Sequence, residues 1–287
     1  MILTLLSVAA GLRFLGFVLI AAGGFQSVTS TRFNFAYFDR GKRLDSAVTE
    51  KETVSPSKCG QIELDLVNAD LTVSSTDGSD ITLTYQRFYE KEWSYSLQGR
   101  TMELKYGQKH GWLSSLTNWV DNSGWGDSSR RTVVLSIPRN AKAAYKIINV
   151  NGSVHISGIS ADSLNMNGVN TQAEISDVVS AGDIRLNSVN GGITINRAKM
   201  PALRFSGMVN ADCTVNQSNA DIKAGSFVNS TLNVTTANTD DYYIVYKTVG
   251  GVVNVQDGHY SGKGSIGAKD RAHRIDFEGV NSNLSVK

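Results

Sequence analysis

Cysteine, proline and histidine are scarce in this chain, and its charge is low and nearly balanced. Of 287 residues only two are Cys and three are Pro. Cys59 and Cys213 could form at most one bridge, so the fold does not rest on a disulfide framework. Cys213 also falls in an apolar column of the repeat described below, where a buried free thiol serves as a small hydrophobe. Charged residues make up 19% and the formal net charge is +2, without the basic stripe that a nucleic-acid binder needs to displace phosphate counterions. The four histidines, His110, His155, His259 and His273, are scattered and show no metal-ligand spacing. No Ser/His/Asp set is brought together by the repeat, and no cofactor motif is present. Gly262-Lys263 resembles the end of a phosphate loop, but Gly264 stands where Ser or Thr is required. Asp177, Asp183 and Asp240-Asp241 read as solvated turn residues rather than cation ligands.

What the chain does have is Asn, Ser, Thr and Gly in abundance beside 41% hydrophobic residues. This mixture suits many short strands joined by tight turns. Residues 1–25 are apolar apart from Arg13 and a few small polar residues. As a helix they would reach roughly 37 Å, enough to cross a hydrocarbon core of about 30 Å. A central Arg costs about 2.5–3.5 kcal/mol, whereas the Leu, Ile, Val and Phe residues together return about 4–7 kcal/mol, so insertion wins. Ala21-Ala22-Gly23 would also suit a cleaved signal peptide, but the basic n-region is missing and an uncleaved transmembrane anchor is preferred. Arg32, Arg40, Lys42 and Arg43 follow the helix and favour a cytoplasmic flank, whereas a solenoid poor in Lys and Glu belongs outside. Residues 26–58 carry mixed charges and no sustained period, and read as a juxtamembrane linker.

The repeat emerges after that. Ile62-Glu63-Leu64-Asp65-Leu66 alternates with a period of two, and Val67-Asn68-Ala69-Asp70-Leu71 already has the form of a repeat unit. Tyr95-Ser96-Leu97 and Met102-Glu103-Leu104 form a hairpin turning at Gln98-Gly99-Arg100. Val-Asn or Val-Gly then recurs at Val150, Val169, Val189, Val209, Val228, Val249 and Val280, with most spacings of 19–21 residues. Each copy continues with alternating apolar pairs: Val154/Ile156, Ala173/Ile175, Ile193/Ile195, Cys213/Val215, Leu232/Val234, Val253/Val255 and Leu284/Val286. A fixed period of about 20 residues without a helical half predicts an all-β, single-domain parallel β-solenoid over residues 59–287. Asn151, Asn170, Asn190, Asn210, Asn229 and Asn281 fall in one column, broken only by Gly250, and predict an asparagine ladder at a tight turn. The spacing of 31 before Val280 predicts a protruding loop near His259–His273.

Residues 88–131 interrupt the pattern with an aromatic-rich insertion that holds all four tryptophans. Trp112, Leu113, Leu116, Trp119 and Val120 lie on one face of a short helix. That face can cap the open amino-terminal end of the stack, or it can meet a membrane or partner. Trp112, Leu116, Trp119 and Trp125 are therefore the candidate interaction residues.

The anchor, the strand ending Leu135-Ser136-Ile137-Pro138, and the Val-Asn-Gly motifs at Val150 and Val189 together resemble the bacterial putative-adhesin family of membrane-anchored, β-strand-repeat proteins. The resemblance covers about 59–287 and implies a cell-envelope protein with a surface-exposed solenoid and no established ligand. The expected function is a non-enzymatic, single-pass membrane protein whose extracellular solenoid meets a cell-surface glycan or protein. The alternative is an accessory regulator of envelope-stress signalling that acts on a membrane partner. A carbohydrate-active β-helix enzyme would need clustered carboxylates on one face, and the repeat supplies none.

Overall fold

The computed structural model describes residues 43–106, 130–218 and 220–287. The chain enters along β1 (Arg43–Val54), β2 (Gln61–Val67), β3 (Ala69–Thr76), β4 (Ile81–Tyr89), β5 (Trp93–Gln98), β6 (Thr101–Tyr106) and β7 (Arg131–Pro138). It continues through β8 (Lys142–Ser157), β9 (Ser160–Ser176), β10 (Val179–Ser180), β11 (Ile184–Val189), β12 (Gly192–Asn196), β13 (Ala202–Val209) and β14 (Asp212–Asn216). The last stretch is β15 (Asp221–Val228), β16 (Thr231–Thr235), β17 (Tyr242–Val249), β18 (Val253–Val255), β19 (Gly258–Tyr260), β20 (Lys263–Ile266), β21 (His273–Val280) and β22 (Asn283–Val286).

Alternation dictates how these strands stack. Every second residue is apolar and points inward, so equivalent strands of successive coils pair in parallel about 4.8 Å apart and align their apolar residues in columns. One face runs Ile62, Tyr145, Leu164, Ile184, Leu203, Ile222 and Ile275; the other runs Leu71, Val154, Ala173, Ile193, Cys213, Leu232 and Leu284. These side chains form one continuous core. A shorter third side carries the buried small or apolar residues Ile159, Val178, Ala198 and Ser218, with Val179 bridging Ser160 and Lys199. The corresponding residue of the following coil, Ala237, is exposed.

Between the two long faces the chain turns through one left-handed residue per coil. Asn68, Asn151, Asn170, Asn190, Asn210, Asn229 and Asn281 all have φ between 48° and 58°, and Gly250 has φ 70°. Asparagine tolerates this region better than other side-chain-bearing residues. Its amide then bonds along the stack: Asn151 Nδ2 donates to Asn68 Oδ1 (3.1 Å), Asn170 to Asn151 (2.8 Å), Asn210 to Asn190 (3.0 Å) and Asn229 to Asn210 (3.4 Å). At three of the positions that follow, only glycine fits. A Cβ on Gly152, Gly191 or Gly251 would lie 1.9–2.2 Å from a carbonyl oxygen of the neighbouring coil.

The coils do not stack in sequence order at either end. The coil made by β6 and β7 lies outside the earlier coil made by β2 and β3, which is therefore sandwiched against β8. At the other end β21 and β22 lie between the β15/β16 coil and the β17/β18 coil, although they come last in sequence. Both outer edges are then covered by antiparallel strands. β5 pairs with β6, and β4 with β7 and β1, at one end. β20 pairs with β17 and β19 with β18 at the other.

Several expectations need correction. The segment read as a linker contributes β1, an edge strand paired with β4 from Val48 to Val54, and a short 3-10 turn at Pro56–Lys58. Its charged, mostly exposed side chains gave no apolar period to read, as befits an edge strand protected from further pairing. The stretch near His259–His273 does not simply protrude: it supplies the capping strands β19 and β20. The aromatic insertion is interrupted by structure as well, since its first part forms the expected hairpin, and β6 joins the parallel stack. No helix among the described residues is long and apolar enough to cross a membrane; the anchor expected at 1–25 lies outside them.

Candidate functional surface at the end of the stack

Trp112, Leu116, Trp119 and Trp125 lie outside the described residues, but the root from which their segment leaves the stack is well defined. Lys105 pairs with Asp65 and Arg131 with Ala69. In the next coil Val67 and Asn68 alone link the positions equivalent to Tyr106 and Arg131. In the outermost parallel layer the sequence between those two positions is the stretch 107–130.

Its return point is an arginine in a column otherwise kept small. Arg131 stands over Ala69, in the column that continues through Gly152, Gly191, Ala211 and Ser230. It is 1% exposed, and so is Glu92. The guanidinium Nε donates to Glu92 Oε1 at 2.7 Å and Nη2 lies 2.6 Å from the same oxygen. The other carboxylate oxygen accepts the Phe88 backbone N–H. The guanidinium carbon lies 5.4 Å from the Phe88 ring centre and 5.8 Å from that of Tyr106. Charge neutralisation and aromatic faces together offset the desolvation of this pair.

Aromatic packing extends the root. Trp93 meets Tyr106 edge-on at 5.3 Å and Tyr85 at 6.2 Å, and its indole N–H donates to the Gln86 carbonyl at 2.8 Å. Tyr106, Val67 and Val150 form a small apolar cluster separate from the main core, with Trp93 and Val169 against it. The Arg131 amide donates to the Asn68 carbonyl at 3.0 Å, tying the return point to the neighbouring corner. Sequence reasoning identified Trp93 as part of an aromatic stretch but missed Glu92 and Arg131. A signal existed: Arg131 is the large charged residue in a column of small ones, once the layer is aligned.

Several charged groups elsewhere on the stack are paired. Asp177 receives two bonds from Arg197 (2.8 and 2.7 Å), which hold its carboxyl below the usual range. Asp183 is bonded by Arg204, and Asp240 by Arg271 at 3.0 Å. His155 lies 3.4 Å from Glu174 on the exposed face, and His259 Nδ1 meets Asn254 at 2.6 Å. Among the described residues no three His, Cys, Asp or Glu side chains are grouped to hold a metal ion. Cys59 and Cys213 are buried and unpaired, and burial pushes the Cys213 thiol up to about 12. A shallow open cleft of about 450 Å³ lies between Thr76–Ser79 and Arg139–Ala141, crossed by the exposed Arg139–Asp77 pair.

A family model described as Toastrack DUF4097 matches residues 59–260. No curated protein matches the chain. Among solved structures, a "putative adhesin" from Bacteroides fragilis is 10% identical with a TM-score of 0.45, and the match covers 85% of this chain and 99% of that one. A "putative cell adhesion protein" from Clostridium sporogenes is 14% identical with a TM-score of 0.32, over 84% and 99% of the two chains. A "putative lipid binding protein" from Parabacteroides distasonis is 13% identical with a TM-score of 0.26, over 85% and 98%.

Proposed function

The chain belongs to the Toastrack DUF4097 family, and from that premise we propose that it is a membrane-anchored, non-catalytic surface module. In this reading residues 1–25 hold it in the cell membrane. The coil stack is a rigid extracytoplasmic scaffold, and the segment at 107–129 meets a partner. One observation carries the proposal. The residues that flank the tryptophan-bearing stretch, Tyr106 and Arg131, lie in the outermost parallel layer, and Arg131 forms a buried, hydrogen-bonded pair with Glu92. A root this ordered fixes where the segment leaves and returns, which suits a presented surface better than a tolerated insertion. The regular outer columns offer less, because their charged side chains are largely satisfied by one another.

The test replaces residues 107–130 with the Asn-Gly corner of a regular coil. Unfolding by urea should keep its midpoint, while attachment of the host cell to glycan- or protein-coated surfaces should fall to that of a deletion strain. If the deletion strain attaches normally but changes envelope-stress transcription, the regulatory reading replaces the adhesive one. Hydrolysis of a glycan by the purified chain would contradict the non-catalytic assignment.

A further inference from the structure

We propose that the layer formed by β21 and β22 is an exchangeable insert, and that the same slot in a second copy of this chain is its partner. The out-of-order stacking is the first support. Residues 273–286 sit between two layers that precede them both in sequence.

Register is the second support. On one face Ile222, Ile275 and Ile244 are aligned, as are Ala224, Phe277 and Tyr246, and Val228, Val280 and Val249. On the other, Leu232, Leu284 and Val253 align, followed by Val234, Val286 and Val255. Apart from a one-residue bulge in β15 between Ala224 and Phe227, the layers on either side of the insert are therefore already in register with each other. If the insert leaves, they can close up and pair directly without a slip that would turn side chains to the wrong face. The connector permits it. Six residues, 236–241, join β16 to β17 across two layers, while five, 197–201, join β12 to β13 across one.

Energetics favours exchange over simple loss. Departure breaks four parallel ladders and uncovers Ile275, Phe277, Leu284 and Val286, all 2% exposed or less in place; closure restores only two ladders. When two copies exchange inserts, every contact is regained and only association entropy remains. The link to the insert, residues 267–272, is largely exposed, with Gly267 at φ 87°.

The slot also selects its occupant. Phe277 packs 5.4 Å from Phe227 of the neighbouring layer, while the close approach of Gly279 to Ser282 and Phe277 shapes the insert itself. Ser282 Oγ accepts the Ser230 amide at 3.1 Å. A segment with Ile-x-Phe, a glycine, a serine and Leu-x-Val at these positions is this chain's own 275–286.

The experiment uses the full chain with Asn233→Cys and Ser285→Cys, facing positions on β16 and β22. The protein is refolded from urea at rising concentration, diluted, then oxidised and run on a non-reducing gel. The expected result is a disulfide-linked dimer whose fraction rises with refolding concentration and exceeds that of either single-Cys variant by at least tenfold. Intramolecular bridges alone at every concentration, or equal dimer from the single variants, would overturn the proposal. A second measurement leaves the protein unmodified. A fluorescent peptide of residues 269–287 should enter the full chain during refolding, and one with Ile275→Asp and Leu284→Asp should not. Failure of the native peptide to enter would also overturn it.

Discussion

At Asn210 two separable contributions meet. Its φ of 48° lies in the left-handed region, and its amide links Asn190 at 3.0 Å to Asn229 at 3.4 Å. Asn210→Ala should lose both and lower unfolding stability by about 1–3 kcal/mol. Asn210→Gly keeps the backbone freedom and should cost less. Urea denaturation of the pair separates the two effects. At Gly191 the problem is space: a Cβ would sit 2.2 Å from the Thr171 carbonyl oxygen. Gly191→Ala should cost about 1–3 kcal/mol in the same assay. The Asn column was legible in the sequence because a left-handed corner and a fixed period both leave marks. The need for glycine at 152, 191 and 251 was less so, because Thr171, Ala211 and Ser230 occupy the same column.

Buried ionisable groups add a pH dependence that also belongs to single residues. Burial raises the Cys213 thiol to about 12, and burial reinforced by Glu52 and Glu50 raises the Tyr85 hydroxyl to about 12. The folded state thus holds these protons more tightly than the unfolded chain. Their contribution is complete below the unfolded values and is lost as pH rises through the folded ones. Thermal melts should be flat across pH 6–8 as far as these groups matter, and should fall between about pH 9 and 12. Cys213→Ala should remove part of that fall.

Among elements, the β6–β7 coil is the one whose root departs from the pattern. Glu92→Gln leaves a buried guanidinium without its counter-charge and should destabilise the protein by about 3–5 kcal/mol. Glu92→Leu combined with Arg131→Met should recover most of that loss, because two apolar residues replace both charges. Calorimetry on the three variants checks this. Nothing local announces the pair: the partners are 39 residues apart and meet only because β4 and β5 cap the layer that β7 enters. β1 was hidden for another reason. An edge strand with Asp45, Glu50, Lys51 and Glu52 has no apolar alternation, and its strand character is supplied by β4.

For the whole molecule, the sequence carries the period, the inward columns and the corner chemistry, and these suffice for a parallel coil stack. They do not carry the order of the layers. Each layer presents the same columns, so stacking β17 directly on β15 is as consistent with the pattern as placing β21 between them. The order is decided by capping. The hairpins that follow β3 and β18 turn back to cover open edges, and the next coil enters beneath them. At both ends antiparallel strands cover the outer edge of the stack.

The most direct test of that architecture compares two cysteine pairs on β16, β22 and β18. Asn233 faces Ser285, and Ser285 in turn faces Asn254. At low protein concentration, Asn233→Cys with Ser285→Cys should form an intramolecular disulfide readily, whereas Asn233→Cys with Asn254→Cys, two layers apart at about 9.6 Å, should not. Rapid bridging of the 233–254 pair and none of the 233–285 pair would show that the coils stack in sequence order, and would contradict the interleaved fold.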